Sequence, residues 1–221
     1  MDKIIKDFIK RSLLEDIGHG DITSLACIQE NTIGEAQLIA KEDCRIAGIE
    51  IAKNIYTLYD QKLHFQSFVA NGENVKKNQT IFSISGSQKS ILATERLVLN
   101  CMQRMSGIAT KTNLFVQKVK DLKTKILDTR KTCPSIRFLD KRAVKIGGGE
   151  NHRHGLYDVM MIKDNHIDFS GSIKQAILNC QKYINKKDIK IIIEVRDFLE
   201  LDKVLQIGQI DRILLDNFTI E

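Results

Sequence analysis

Tryptophan is absent from this chain, and the basic residues behind its net charge of +6 are not interleaved with aromatics. Proteins that stack single-stranded bases set aromatics among their cations, so the excess charge argues against nucleic acid as a partner. Also missing is any uninterrupted apolar run long enough for a signal peptide or a membrane span. No membrane partner is therefore expected. The five cysteines, Cys27, Cys44, Cys101, Cys133 and Cys180, are odd in number, widely spaced and form no C-x-x-C. That pattern argues against a disulfide framework and against a zinc site, and it points to a reducing, cytoplasmic setting. Lysines are spread along the whole chain, with no dense basic tract.

One stretch does gather charge. Lys125 to His166 begins with the apolar run Ile126-Leu127 and ends with Val159-Met160-Met161-Ile162, each stopping abruptly in polar residues. Between them lie a helix-like segment, a triple glycine and Asn151-His152-Arg153-His154. Short apolar runs read as buried strands, and a strand that ends in fixed charges places them at the rim of a sheet or barrel. So many cations at one rim suit a polyanionic ligand.

Upstream, the stripe Ile4, Ile5, Phe8, Ile9, Leu13 predicts a first helix, followed by a turn around His19. The region from Ile33 to Ile51 reads as strand, Tyr56 to Phe68 alternates more weakly, and Lys77 to Ile84 resumes alternation after Asn71-Gly72, a hairpin signal. Ser90 to Lys120 predicts a long helix broken at Ser106-Gly107. On periodicity alone Arg96, beside Glu95, is an exposed helix charge. From Lys125 onward, apolar runs alternate with helical patterns over Ser135–Ile146, Ser172–Ile184 and Phe198–Ile207. That alternation predicts right-handed βαβ units and a parallel sheet. The runs end in Asp128/Arg130/Lys131, Lys163/Asp164, Glu194 and Asp216/Asn217, the arrangement of the active face of an α/β barrel. Cations with two carboxylates that could hold Mg²⁺ suit a phosphorylated substrate with a pyrophosphate leaving group, and several arginines suit a carboxylate-bearing ligand.

Several long motifs carry a resemblance. EDIGHGDITS at Glu15–Ser24, TERLVLNCMQRMSGIAT at Thr94–Thr110, DTRKTCP at Asp128–Pro134, GGGENHRHGLYDVMMIKDNHI at Gly147–Ile167, IIEV at Ile192–Val195 and LLDNF at Leu214–Phe218 resemble the quinolinate phosphoribosyltransferase family. The resemblance spans essentially the whole chain and implies an N-terminal α/β sandwich domain (1–107) followed by an incomplete α/β barrel (108–221). It implies phosphoribosyl transfer from phosphoribosyl pyrophosphate to quinolinate with decarboxylation, dependent on Mg²⁺, in NAD biosynthesis. Carried over, Arg130, His152, Arg153 and Lys163 bind quinolinate, with Thr129 and Lys131 beside them. Lys131, Glu194 and Asp216 are the expected catalytic residues, and Glu194 and Asp216 face the ribose and metal. Arg96 is expected to reach the site of a partner subunit in a homodimer or dimer-based hexamer, which replaces its reading as a surface charge.

Two departures are visible. Pro134 is followed by Ser135 where the family has Pro-Gly, and the chain is expected to be incomplete at its C-terminus, because only Phe218 to Glu221 follows the last strand. A related pyrophosphorylase acting on another acceptor and an inactive ligand-binding remnant are the alternatives.

Overall fold

The computed structural model describes residues 1–184 and 188–219, so the expectation about the chain's end, at Ile220 and Glu221, lies outside the described residues. The chain forms two compact units, Met1–His152 and Arg153–Glu221. The fold class matches the expectation: a sandwich of sheet and helices comes first, and alternating parallel strands and helices follow.

In the first unit, helices α1 (Lys3–Ile17) and α2 (Ile22–Cys27) precede strands β1 (Ile33–Ile39) and β2 (Cys44–Arg45). Helix α3 (Ile49–Tyr59), strands β3 (His64–Ser67), β4 (Asn74–Val75) and β5 (Thr80–Ser87), and helices α4 (Gln88–Lys118) and α5 (Arg137–Ile146) complete it. The sheet runs β1-β5-β3 with antiparallel neighbours, and β2 and β4 form a separate two-stranded ribbon. Its core joins Ile81, Phe82 and Ile84 of β5 to Ile51 and Ile55 of α3 and Val98, Met102 and Met105 of α4. Burial there pushes the Cys101 thiol up to about 11, so this cysteine is inert packing.

Three expectations need correction. Residues 49–59 are helical where strand was expected at both ends of that span. Ile51, Ala52, Ile55 and Tyr56 are its buried positions, the period of a helix. Asn71-Gly72 is not a two-residue hairpin corner, since β3 and β4 pair with different strands. Instead Asn71 Oδ1 accepts the N–H groups of Gly48 and Ile49, at 2.8 and 3.1 Å, and so caps α3 from a distance. Lastly, α4 runs unbroken through Ser106-Gly107. Ser106 is buried, and its hydroxyl accepts from Ala47 N–H at 3.0 Å and donates to Ala47 C=O at 3.2 Å. The helix thus uses its serine to hold the β2–α3 link. Among the described residues nothing requires a glycine at 107, whose Cβ would meet open space. Helix α4 crosses residue 107 and packs along α5, both within the compact unit Met1–His152.

The second unit holds β6 (Met160–Ile162), β7 (Ile191–Val195) and β8 (Arg212–Leu215), parallel and in the order β6-β7-β8. Helices α6 (Asp164–Ser170), α7 (Ile173–Ile184) and α8 (Phe198–Ile207) connect and cover them. Ile191, Ile192, Ile193 and Val195 are all buried, as a central parallel strand covered on both faces requires. The short helix α6, directly after Lys163, had no sequence expectation. Among the described residues no helix is long and apolar enough to cross a membrane.

The Ser106 contacts give a stability prediction. Ser106→Ala leaves both backbone groups of Ala47 without this partner, and should destabilise the protein by about 1–3 kcal/mol. Urea denaturation should show a lower midpoint at an unchanged slope. An unshifted midpoint would mean that these bonds contribute nothing net.

Candidate active site

In the first unit the candidate residues other than Arg96 sit on two segments laid side by side. Ile126–Asp128 runs parallel to Glu150–His152: Glu150 N–H donates to Ile126 C=O at 2.8 Å, and Asp128 N–H to Glu150 C=O at 3.1 Å. The expected strand at Ile126-Leu127 is therefore no more than a single bridge, Leu127 to Glu150. The triple glycine makes this approach possible. A Cβ at Gly147 would lie 2.6 Å from Ala109 O, and one at Gly149 would lie 2.8 Å from a Val144 methyl and 3.1 Å from Ile126 O. Between them Gly148 takes φ +93°.

The turn that follows carries the cations. Thr129 Oγ1 accepts the N–H of Lys131 at 3.0 Å, which leaves the Lys131 side chain exposed. Arg130 is half-buried, and its Nε is buried with no hydrogen-bond partner among the described residues. A buried guanidinium N–H without an acceptor is costly, and a bound carboxylate or phosphate would relieve it. The loop's far side is anchored by Asp140, which takes both Nε and Nη2 of Arg104 at 2.7 Å and the N–H of Cys133 at 3.3 Å. At its end Ser135, where the family pattern has glycine, adopts φ +67°. The left-handed conformation persists although the residue that favours it is gone.

Beneath the turn is an ion pair that the sequence did not reveal. Lys141 Nζ and Asp128 Oδ1 are 2.5 Å apart, with side chains only 3% and 5% exposed. The only hints are that Lys141 lies three residues from Phe138 and from Val144, and that Asp128 opens the charged turn.

The second unit carries the remaining candidates at strand ends. Lys163 follows β6 and forms an ion pair with Glu194 of β7 at 2.7 Å. The expectation had given these two residues to different ligands. Asp216 follows β8, and its N–H donates to Val195 C=O at 3.0 Å. Arg153 is 9% exposed, with a guanidinium nitrogen 3.5 Å from Val159 C=O. Next to it, Asp158 accepts the N–H groups of His154 and Gly155 at 2.6 and 2.9 Å. Burial works to raise the Asp158 pKa, but these backbone donors outweigh it and hold the carboxyl below its ordinary range.

Arg96 lies on the exposed side of α4 in the first unit. A cleft of about 940 Å³ in that unit lies between β1 and α4, lined by apolar residues such as Leu38, Ile84, Val98 and Met102. It includes none of the candidate residues, so its size says nothing of the chemistry.

Comparison with known proteins adds to this geometry. Residues 21–106 match the family model for the quinolinate phosphoribosyl transferase N-terminal domain, and residues 108–221 match that for its C-terminal domain. The chain is 41% identical over 98% of its length to a chloroplastic nicotinate-nucleotide pyrophosphorylase [carboxylating] of Arabidopsis thaliana, and spans 64% of that protein. It is 39% identical, over 96% of its length, to a probable enzyme of the same name from Bacillus subtilis, of which it spans 73%. The crystal structure of the Francisella tularensis nicotinate-nucleotide pyrophosphorylase superposes with a TM-score of 0.90 at 36% identity, over 98% of this chain and 75% of that one.

The Ser135 backbone provides a direct check on the loop. Ser135→Gly removes the left-handed penalty and adds unfolded-state entropy, and the balance should stabilise the protein by about 0.5–1 kcal/mol. Thermal and urea unfolding measure it, and a loss of stability would show that Ser135 makes compensating contacts.

Proposed function

The chain belongs to the quinolinate phosphoribosyltransferase family, and on that premise we propose that it transfers the phosphoribosyl group from phosphoribosyl pyrophosphate to quinolinate. Nicotinate mononucleotide, pyrophosphate and CO₂ are the products. The observation that carries this reading is Arg130, whose buried Nε has no acceptor among the described residues and sits in a turn that also exposes Lys131. An acceptor substrate with two carboxylates answers that deficit.

In the proposed division of labour, Arg130, His152, Arg153 and Lys163 bind quinolinate carboxylates. Thr129 shapes the turn, and Lys131 neutralises charge on the departing pyrophosphate. The pyridine nitrogen attacks the ribose C1 as the C1–O bond to pyrophosphate breaks, through an oxocarbenium-like state that Glu194 or Asp216 stabilises electrostatically. Once that nitrogen is quaternary, the bond from C2 to its carboxylate breaks and releases CO₂. The electron pair stays on C2 beside the positive nitrogen and is then protonated by solvent. Here the protein aligns and desolvates, and no side chain is needed as a general acid or base.

Among the described residues no three metal-ligating side chains cluster, and Glu194 is already engaged by Lys163. The described residues therefore build no metal cage by themselves. We place Mg²⁺ with the pyrophosphate, where Glu194 and Asp216 are the carboxylates it would meet. Arg96, exposed on α4, is proposed to complete the site of a partner in a homodimer. The free cysteines support a cytoplasmic, reducing setting for the same reading.

Purified protein with Mg²⁺ and phosphoribosyl pyrophosphate should release pyrophosphate and CO₂ with quinolinate, and neither with nicotinate. Turnover of nicotinate but not quinolinate overturns the acceptor assignment. Arg130→Ala should raise the quinolinate KM by about 10- to 100-fold, the worth of a charge-assisted hydrogen bond. Arg96→Ala should abolish activity without lowering stability. Mixing Arg96→Ala with Arg130→Ala subunits should restore about a quarter of the sites, because each mixed dimer regains one intact site. No restoration would place Arg96 in its own subunit's site or in none.

A further inference from the structure

None of the roles assigned above uses Lys141 or Asp128, yet this buried pair grips both ends of one residue. Asp128 Oδ1 accepts the N–H of His152 at 2.8 Å, and Lys141 Nζ donates to the C=O of His152 at 3.1 Å. Donor and acceptor of a single candidate residue are thus bound by opposite members of one ion pair. Asn151, with its amide oriented so that nitrogen faces acceptors, adds bonds to Asp128 Oδ2 and Lys141 O, each 2.9 Å. On its other side Asp128 leads directly into Thr129 and Arg130, the turn whose arginine has a buried Nε without an acceptor among the described residues.

We infer that the Lys141–Asp128 pair is a positioning device that fixes His152 relative to the Arg130 turn and so sets the geometry of acceptor binding. The inference rests on the reading that Arg130 and His152 contact quinolinate. Its physical basis is the intolerance of a buried pair: with both charges withheld from water, only an arrangement that satisfies each remaining donor and acceptor is stable. A surface pair would allow His152 to drift. Lys131 depends on the pair much less, because its ammonium sits on a flexible, exposed stem.

The test compares Lys141→Met, Lys141→Arg and Asp128→Asn with the unmodified protein. Calorimetry gives separate affinities for quinolinate and for phosphoribosyl pyrophosphate, and amide hydrogen exchange reports on His152. For folded Lys141→Met, quinolinate affinity should fall by about 10- to 100-fold, the usual effect of displacing a positioned group by an ångström. Phosphoribosyl pyrophosphate affinity should hold within about threefold, and Lys141→Arg should recover much of the loss. Unchanged quinolinate affinity, or an equal loss for both ligands, overturns the inference, because a merely structural role would not distinguish the two. Should Lys141→Met not fold, Asp128→Asn carries the same comparison. Should the unmodified protein bind no quinolinate, the functional reading fails on its own. The exchange data then decide: His152 N–H should exchange at least about tenfold faster in Asp128→Asn while the Ile193 amide is unaffected, and equal protection in both proteins overturns the positioning role.

Discussion

An ammonium and a carboxylate withdrawn from water hold together the part of the first unit that carries its candidate cations. Burying two ions costs several kcal/mol each, and their mutual attraction offsets this only if the remaining hydrogen-bonding capacity is also met. Here it is met by backbone: the N–H and C=O of His152 complete the coordination of Asp128 and Lys141. The pair is stable because the chain passes beside it in one particular way, and the chain passes that way because of the pair. Such mutual dependence makes the region cooperative.

The dependence extends upstream through packing. Lys141 is presented by α5, which lies along the long helix α4. Close contact of the glycine run with α4 at Ala109 and Thr112 brings Glu150–His152 back against Ile126–Asp128. Asn113 Nδ2 donates to Gly147 C=O at 3.2 Å and fixes the start of that return. Farther up the same helix, Arg104 holds Asp140, and Asp140 holds the backbone at Cys133. Helix α4 therefore governs both flanks of the Arg130 turn, and a break at Ser106-Gly107 would have uncoupled them.

What the sequence made legible follows the range of the forces involved. Burial periodicity is local, so the parallel strands β6, β7 and β8 and the helices α7 and α8 could be read directly, as could the charges Lys163, Glu194 and Asp216 at the strand ends. Helix α3 was misread because its N-terminus is completed by Asn71, far along the chain, and because Ile49 and Ile51 also suit a strand. The Ser106 hydroxyl looked like a helix breaker because its partner, Ala47, is not near in sequence. At the site, residue types were legible and pairings were not. Asp128 reads as one of several charges at strand ends and Lys141 carries no expectation until the fold buries them together, and Glu194 looked free for a metal until Lys163 was found against it.

These pairings mean that the candidate cations are not equivalent toward an anion. Arg130 enters binding with an existing deficit, a buried N–H without an acceptor among the described residues, so an incoming carboxylate there repairs a cost already carried by the folded protein. Lys163 enters already neutralised by Glu194, a partner only 15% exposed. A carboxylate approaching Lys163 must share the ammonium with Glu194 or displace it, and displacement would leave a shielded carboxylate in need of a new counter-charge. A cationic centre does not face that competition. In the proposed reaction, as the ribose C1 gained positive character, Glu194 would be drawn toward it and Lys163 freed for the substrate's carboxylate. The pair would then favour the charge distribution of the transition state over that of the bound substrates, which is the condition for an interaction to accelerate the chemical step.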